Sequence, residues 1–172
     1  MAISFSNDGA TTSNATALGQ TAGELQNGFG SGVTGSVYSA IFDAESQYST
    51  AAAANDMIAA YLANSVWGIA SDLAANSDWT CADTSSVISS LGGAGDVMPQ
   101  FYCSGQPPYY TDCGMSGFGG VTIYDASSIC PGQQLGYQGG ISAFYSSFGS
   151  CPNLVLVDGG YGNGINANSL TC

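Results

Sequence analysis

The stretch that decides the fold is Ser36 to Ala75, SVYSAIFDAESQYSTAAAANDMIAAYLANSVWGIASDLAA. Val37, Ile41, Ala44, Tyr48, Ala51, Asn55, Ile58, Leu62, Ser65 and Ile69 recur at alternating steps of four and three. Such spacing places residues on one face of an α-helix, and the alanine run favours that conformation. Ser36 is a plausible N-cap. Read continuously, the segment predicts one long helix of roughly 60 Å at 1.5 Å per residue. Asn55-Asp56 offers a second start signal, which would give a kinked helix pair instead. Phe42, Met57, Tyr61, Val66 and Trp67 widen the apolar stripe, so the helix is expected to be buried on more than one side.

On either side of this segment the composition changes. Residues 1–34 read as an extended arm rich in Gly, Ser, Thr and Asn, opened by a short strand at Ala2–Ser6. An arm of this kind can dock on a neighbouring copy and add a strand to its sheet. Residues 35–172 read as a single domain, helical over 36–75 and rich in loops and cysteines over 76–172. Asp83-Thr84-Ser85-Ser86 before Val87-Ile88 and Leu91-Gly92 predicts a short capped helix ended by glycine. Val97–Tyr102, Val121–Tyr124, Ile141–Phe148 and Leu154–Val157 read as strands between turn signals such as Pro107-Pro108 and Cys130-Pro131-Gly132. The expected class is α+β, with the helical segment packed on a small disulfide-stapled antiparallel β region.

Charge limits function more sharply than any motif. The 172 residues include no lysine, arginine or histidine, against twelve acidic residues, for a formal net charge of −12. No salt bridge between side chains is possible, so each carboxylate must use a backbone N–H, a hydroxyl, water or a bound cation. Nothing in the chain can neutralise a phosphate, which argues against nucleic acid as a partner. Disorder does not follow from the charge, because 45% of the residues are hydrophobic and 11% aromatic, enough to build a core. The most apolar run, Ala51 to Ala70, is broken by Asn55, Asp56 and Asn64, so no membrane span is expected.

Six cysteines, Cys81, Cys103, Cys113, Cys130, Cys151 and Cys172, lie in the second half of the chain. An even number without histidine or a Cys-x-x-Cys pair points to disulfides and an oxidising, extracellular or cell-surface location. Fifteen pairings are open to six cysteines. Cys172 is expected to clamp the C-terminal end. Met1–Phe5 lacks a basic n-region, so it does not read as a signal peptide. Asn14-Ala15-Thr16 is a glycosylation sequon, which makes covalent glycans at Asn14 a further expectation.

Without histidine or lysine, the familiar serine and cysteine nucleophile systems have no base. Carboxylate chemistry survives, with Asp83 and Asp158 as the candidates. Asp158 follows the apolar run Leu154–Val157 and precedes Gly159–Gly164, a stretch similar to one turn of a glycine-rich calcium-binding repeat. Calcium is therefore the one cofactor considered, with Asp158 as its ligand. Two functions result. One is a non-catalytic structural subunit of an extracellular filament or surface assembly, its partners being copies of itself. A long helix followed by a small disulfide-closed sheet resembles the layout of type IV pilins, without their apolar N-terminal helix and early glutamate. The alternative is a secreted carbohydrate-active domain that uses carboxylates together with Trp79, Tyr109 and Tyr110.

Overall fold

The computed structural model describes residues 4–31, 40–66, 69–74, 78–91, 97–124, 131–158 and 172. Strands and helices alternate throughout these segments: β1 (Ser4–Ser6), α1 (Ala15–Ser31), β2 (Ala40–Glu45), α2 (Ala51–Asn64), β3 (Ile69–Ala74), α3 (Cys81–Leu91), β4 (Val97–Pro99), α4 (Gln106–Asp112), β5 (Gly120–Tyr124), α5 (Gly136–Phe148) and β6 (Leu154–Asp158). The mixed helix and strand content is as expected, but its arrangement differs. The strands pair in parallel in β1–β2, β2–β3 and β5–β6, where an antiparallel region was expected. The cause is the alternation itself: a helix between two strands carries the chain back to its starting end, so the next strand runs the same way.

The 36–75 segment is not one long helix. It holds β2, α2 and β3, and the helix proper is 14 residues long. Ile41 and Ala44, three apart, share a helix face but fall on opposite faces of a strand. In β2 the alternation governs instead: Phe42 and Ala44 are fully buried, whereas Asp43 and Glu45 are half-buried. The helix begins at Ala51 because Thr50 caps it, its hydroxyl accepting from Ala53 N–H at 3.2 Å. Such a cap is worth about 1 kcal/mol. Asn55 and Asp56 stand inside α2 and not at a boundary. The pilin-like layout loses its long helix with this division.

The chain forms two compact units, Met1–Val97 and Met98–Cys172. In the first, β1, β2 and β3 lie side by side in that order, with α1 packed on α2 and α2 on α3. Parallel strands added in sequence order place their helices on one face when the crossovers are right-handed, and Phe42, Ala44 and Leu73, which share a face of β2 and β3, are fully buried. α2 is buried on several sides: Ala53, Ala54, Met57, Ile58 and Tyr61 are buried, α1 and α3 pack on the helix, and Tyr61 lies against Phe5 of β1. Residues 1–34, expected as an extended arm, contain β1 and the 17-residue α1. β1 is paired with β2 of its own chain, and Phe5 lies against Phe42 and Tyr61 with ring centroids 5.0 and 5.2 Å apart. Gly19 and Gly23 let α1 approach the α2 backbone. A Cβ at Gly19 would fall 2.1 Å from the Met57 carbonyl oxygen, and one at Gly23 would fall 2.9 Å from that of Tyr61.

In the second unit β5 pairs with β6, and Gln100 makes a parallel bridge to Thr122. Phe101 centres an aromatic cluster with Tyr110, Phe144 and Phe148, at centroid distances of 5.9, 6.1 and 6.0 Å. Ile141–Phe148, expected as a strand, is part of α5. Gly140, Ile141 and Phe144 are its buried positions, a helical spacing that the β-branched and aromatic composition obscures. α5 stops at Gly149, whose φ of 72° is a left-handed cap conformation that suits glycine.

Candidate functional site

Amide side chains occupy the places that cations fill in ordinary proteins. None of the five helices carries a basic residue in its last turn. At the end of α2 the Asn27 Nδ2 donates to the Asn64 carbonyl at 2.6 Å, and Asn27 Oδ1 accepts from Val66 N–H at 3.1 Å. Asn55 joins α2 to α3, donating to Ser86 Oγ and accepting from Ser90 Oγ, each at 2.8 Å. Gln106 Oε1 accepts from the backbone N–H groups of Tyr102 and Cys103 at 2.7 and 2.9 Å. Asn7 is fully buried where β1 ends. Its Nδ2 donates to Glu45 O and Ser49 Oγ, and its Oδ1 accepts from Glu45 N–H.

Asn7 fixes the carboxyl ends of β1 and β2, the end of a parallel sheet where ligands usually bind. Asp8, Asp43 and Glu45 gather there around Tyr48, and Gln47 Nε2 donates to Glu45 Oε2. Asp72 on β3 is in register with Asp43. The negative charge of Glu45, with partial burial and the charges of Asp43 and Asp8, holds the Tyr48 phenol above its ordinary pKa, against an opposing hydrogen bond from Gln47. Chemically the group presents acceptors and a phenol, and nothing in the chain can supply a counter-charge.

The residues singled out from sequence do not converge. Asp83 is half-buried at the start of α3 and belongs to a capping box: its Oδ2 accepts from Thr80 N–H and Oγ1, while Asp83 N–H donates to Thr80 Oγ1. Those bonds, the hydroxyl's first, hold its carboxyl below the usual range. Asp158 ends β6 in register with Tyr124, and its side chain lies outside the described residues. Gly159–Gly164 lie outside them too. Among the described residues no group of three or more Asp, Glu, Cys or His side chains is placed to hold a metal.

Trp79 and Tyr110, named as sugar platforms, are buried, and the Trp79 indole donates to Ser49 O at 2.8 Å. Tyr109 is half-buried with its ring edge-on to Tyr110. Asn14 uses its amide locally: Nδ2 donates to Gly9 O at 3.1 Å and Oδ1 accepts from Thr11 N–H at 2.7 Å. Cys81, Cys103, Cys113, Cys151 and Cys172 are disulfide-bonded, and no described cysteine is free. Cys151 pairs with Cys172, Cα atoms 5.9 Å apart, so the final residue is clamped as expected. Cys130 is outside the described residues. No described helix is long and apolar enough to cross a membrane.

Two features were missed from sequence. One is the Asp8–Asp43–Glu45–Tyr48 group, whose signal was the polar half of the alternation in β2. The other is an uncharged groove in the second unit, lined by Ser104, Pro107, Thr111, Leu135 and Ser147 among others. No protein-family model, characterised protein or solved structure matches this chain.

Proposed function

We propose that this protein is a structural subunit of an extracellular assembly that acts by associating with copies of itself. The observation that carries this reading is the state of its sheet edges. Among the described residues β1 neighbours only β2, and β6 neighbours only β5. Natural sheets guard such edges with charged side chains, especially lysine, or with proline. β1 has neither and is guarded only by its length of three residues, whereas the five-residue β6 has no charge or proline before Asp158. An unguarded edge is a template for another strand. The disulfide-bonded cysteines support an oxidising, extracellular setting. Asp83, Trp79 and Tyr110, the side chains most suited to a carbohydrate hydrolase, are engaged in a cap and in cores.

Negative-stain electron microscopy of the oxidised protein tests the reading. Ordered polymers are the expected result, and single particles at every concentration would refute it. The groove lined by Ser104, Thr111 and Ser147 favours a second reading, a module that binds neutral sugars, since hydroxyls and prolines without charge suit an uncharged polyol. A glycan array, with Thr111→Val as the control variant, separates this from assembly. Array binding that Thr111→Val abolishes is expected of a sugar module, and no binding to any neutral glycan would dismiss it.

A further inference from the structure

We infer that the Asp8-Gly9 turn is a site of covalent self-modification, where the aspartyl residue rearranges through a cyclic imide to isoaspartate, and that the fold protects Asn27-Gly28 from the same chemistry. Self-association plays no part in it.

The reaction is intramolecular. A backbone nitrogen attacks the side-chain carbonyl carbon, Cγ, of the residue before it. With a protonated aspartyl side chain the new N–C bond forms, the Cγ–OH bond breaks, and the hydroxyl leaves with the amide proton as water. With asparagine the same attack expels ammonia. Water then adds to either carbonyl of the five-membered imide. Opening on one side gives aspartate, and opening on the other routes the main chain through Cβ and Cγ, which is isoaspartate. Water is the only co-reactant, and nothing is oxidised or reduced. The attacking nitrogen must be free of other bonds and the side chain free to swing. The following residue must also leave room, which glycine does by lacking a Cβ.

Four pairs in the chain place glycine after Asp or Asn. Asp158-Gly159 and Asn163-Gly164 extend outside the described residues. Of the other two, Asn27-Gly28 is the more reactive as a bare peptide, because a carboxylate is a poorer electrophile than an amide. The fold reverses that order. Gly28 lies inside α1, where its N–H is committed to the helix ladder. The Asn27 amide is held at both atoms, Nδ2 donating to Asn64 O at 2.6 Å and Oδ1 accepting from Val66 N–H at 3.1 Å. Cyclisation there has to break all of these bonds at once.

Asp8 and Gly9 are both exposed, in the turn between β1 and α1. Ala10 N–H closes the turn on Asn7 O at 3.0 Å, Asp8 N–H donates to Ser6 Oγ at 3.2 Å, and Gly9 O accepts from Asn14 Nδ2 at 3.1 Å. Among the described residues neither the Asp8 carboxylate nor Gly9 N–H has a hydrogen-bond partner. Gly9 has a φ of 69°, and no atom lies within 4 Å of where a Cβ would stand, so the ring has space to form. Asn7, fully buried and bonded to Glu45 and Ser49, holds the strand side in place. The product adds one carbon to the main chain after Asn7. It also moves the free carboxylate from side chain to main chain, within electrostatic reach of Tyr48 and without change of mass or net charge.

The test incubates the oxidised protein at roughly pH 5 and roughly pH 8, folded and in concentrated urea. Pepsin digestion suits a chain without trypsin sites, and mass spectrometry with electron-driven fragmentation distinguishes isoaspartate from aspartate. In the folded protein isoaspartate is expected to accumulate at Asp8, faster at the lower pH, while Asn27 keeps its amide. In urea Asn27 is expected to deamidate at least about tenfold faster than in the folded protein, because no local opening is then required. The exposed Asp56 and Asp112, which precede Met57 and Cys113, serve as internal controls. Isoaspartate no faster at Asp8 than at these two would overturn the assignment. Equal deamidation of Asn27 folded and unfolded would overturn the protection.

Discussion

Gly19→Ala adds one methyl group at the closest approach of two helices. Placed on the observed backbone, that carbon sits 2.1 Å from the Met57 carbonyl oxygen, 2.9 Å from its carbon and 3.0 Å from Ala60 Cβ. Ordinary close C···O contacts are about 3.3 Å or longer, so α1 must withdraw by roughly 1.2 Å. The obstacle is backbone in mid-helix and cannot rotate aside. Overpacking of this kind costs typically 1–3 kcal/mol, and a rigid neighbour puts the cost near about 3. Alanine's higher helix propensity returns about 1 kcal/mol. The net expectation is a loss of about 2 kcal/mol. Gly28 lies on the same helix with nothing within 4 Å of a Cβ, so Gly28→Ala should gain up to about 1 kcal/mol. Urea unfolding of the oxidised protein, followed by circular dichroism, measures both as shifts of midpoint. A Gly19→Ala protein as stable as wild type would refute the close packing of α1 on α2.

Asn27→Asp replaces the amide that donates to the Asn64 carbonyl with a carboxylate facing the negative end of α2. It should destabilise by about 1–3 kcal/mol at pH 7 and by less at pH 3, measured by urea midpoints at the two values. Asp83 has a folded pKa below its unfolded value, so its contribution is present above pH ~4 and is lost as pH falls through the folded value. Asp83→Asn should therefore flatten the acid limb of a thermal-melt series below that pH; an unchanged limb would count against the capping box. Tyr48 has a folded pKa above its unfolded value, so its contribution is present below pH ~10 and is lost as pH rises through the folded value. In an ultraviolet titration of the folded protein, Tyr48→Phe should remove a late-ionising phenol, and removal of an ordinary one would contradict the charge cluster.

The coarse division of the chain was legible in the sequence, and its topology was not. β5, β6 and the end of β1 stand where alternation and turn residues put them, and the short helix expected around Asp83 is α3, described as far as Leu91. The 36–75 segment misled because a step of four keeps a residue on one face in a strand as in a helix. Only the steps of three, such as Ile41 to Ala44, distinguish the two. Thr50 ahead of four alanines was the better start signal than Asn55-Asp56, whose amide is drawn into the α2–α3 contact by Ser86 and Ser90. The polar half of the β2 alternation marked Asp43 and Glu45, but the acidic group around Tyr48 was not legible as a group because its members come from different strands and loops. Asp8 and Asp43 are neighbours only once β1 pairs with β2 in parallel. The cysteine reading rested on composition alone and needed no topology, and five of the six cysteines are described as bonded.

Self-association is tested most directly by the mass of the oxidised, unmodified protein in solution, taken by sedimentation equilibrium over a range of concentrations. The expected result is an average mass that climbs above 17.3 kDa with concentration. A mass fixed at 17.3 kDa under every condition would contradict it.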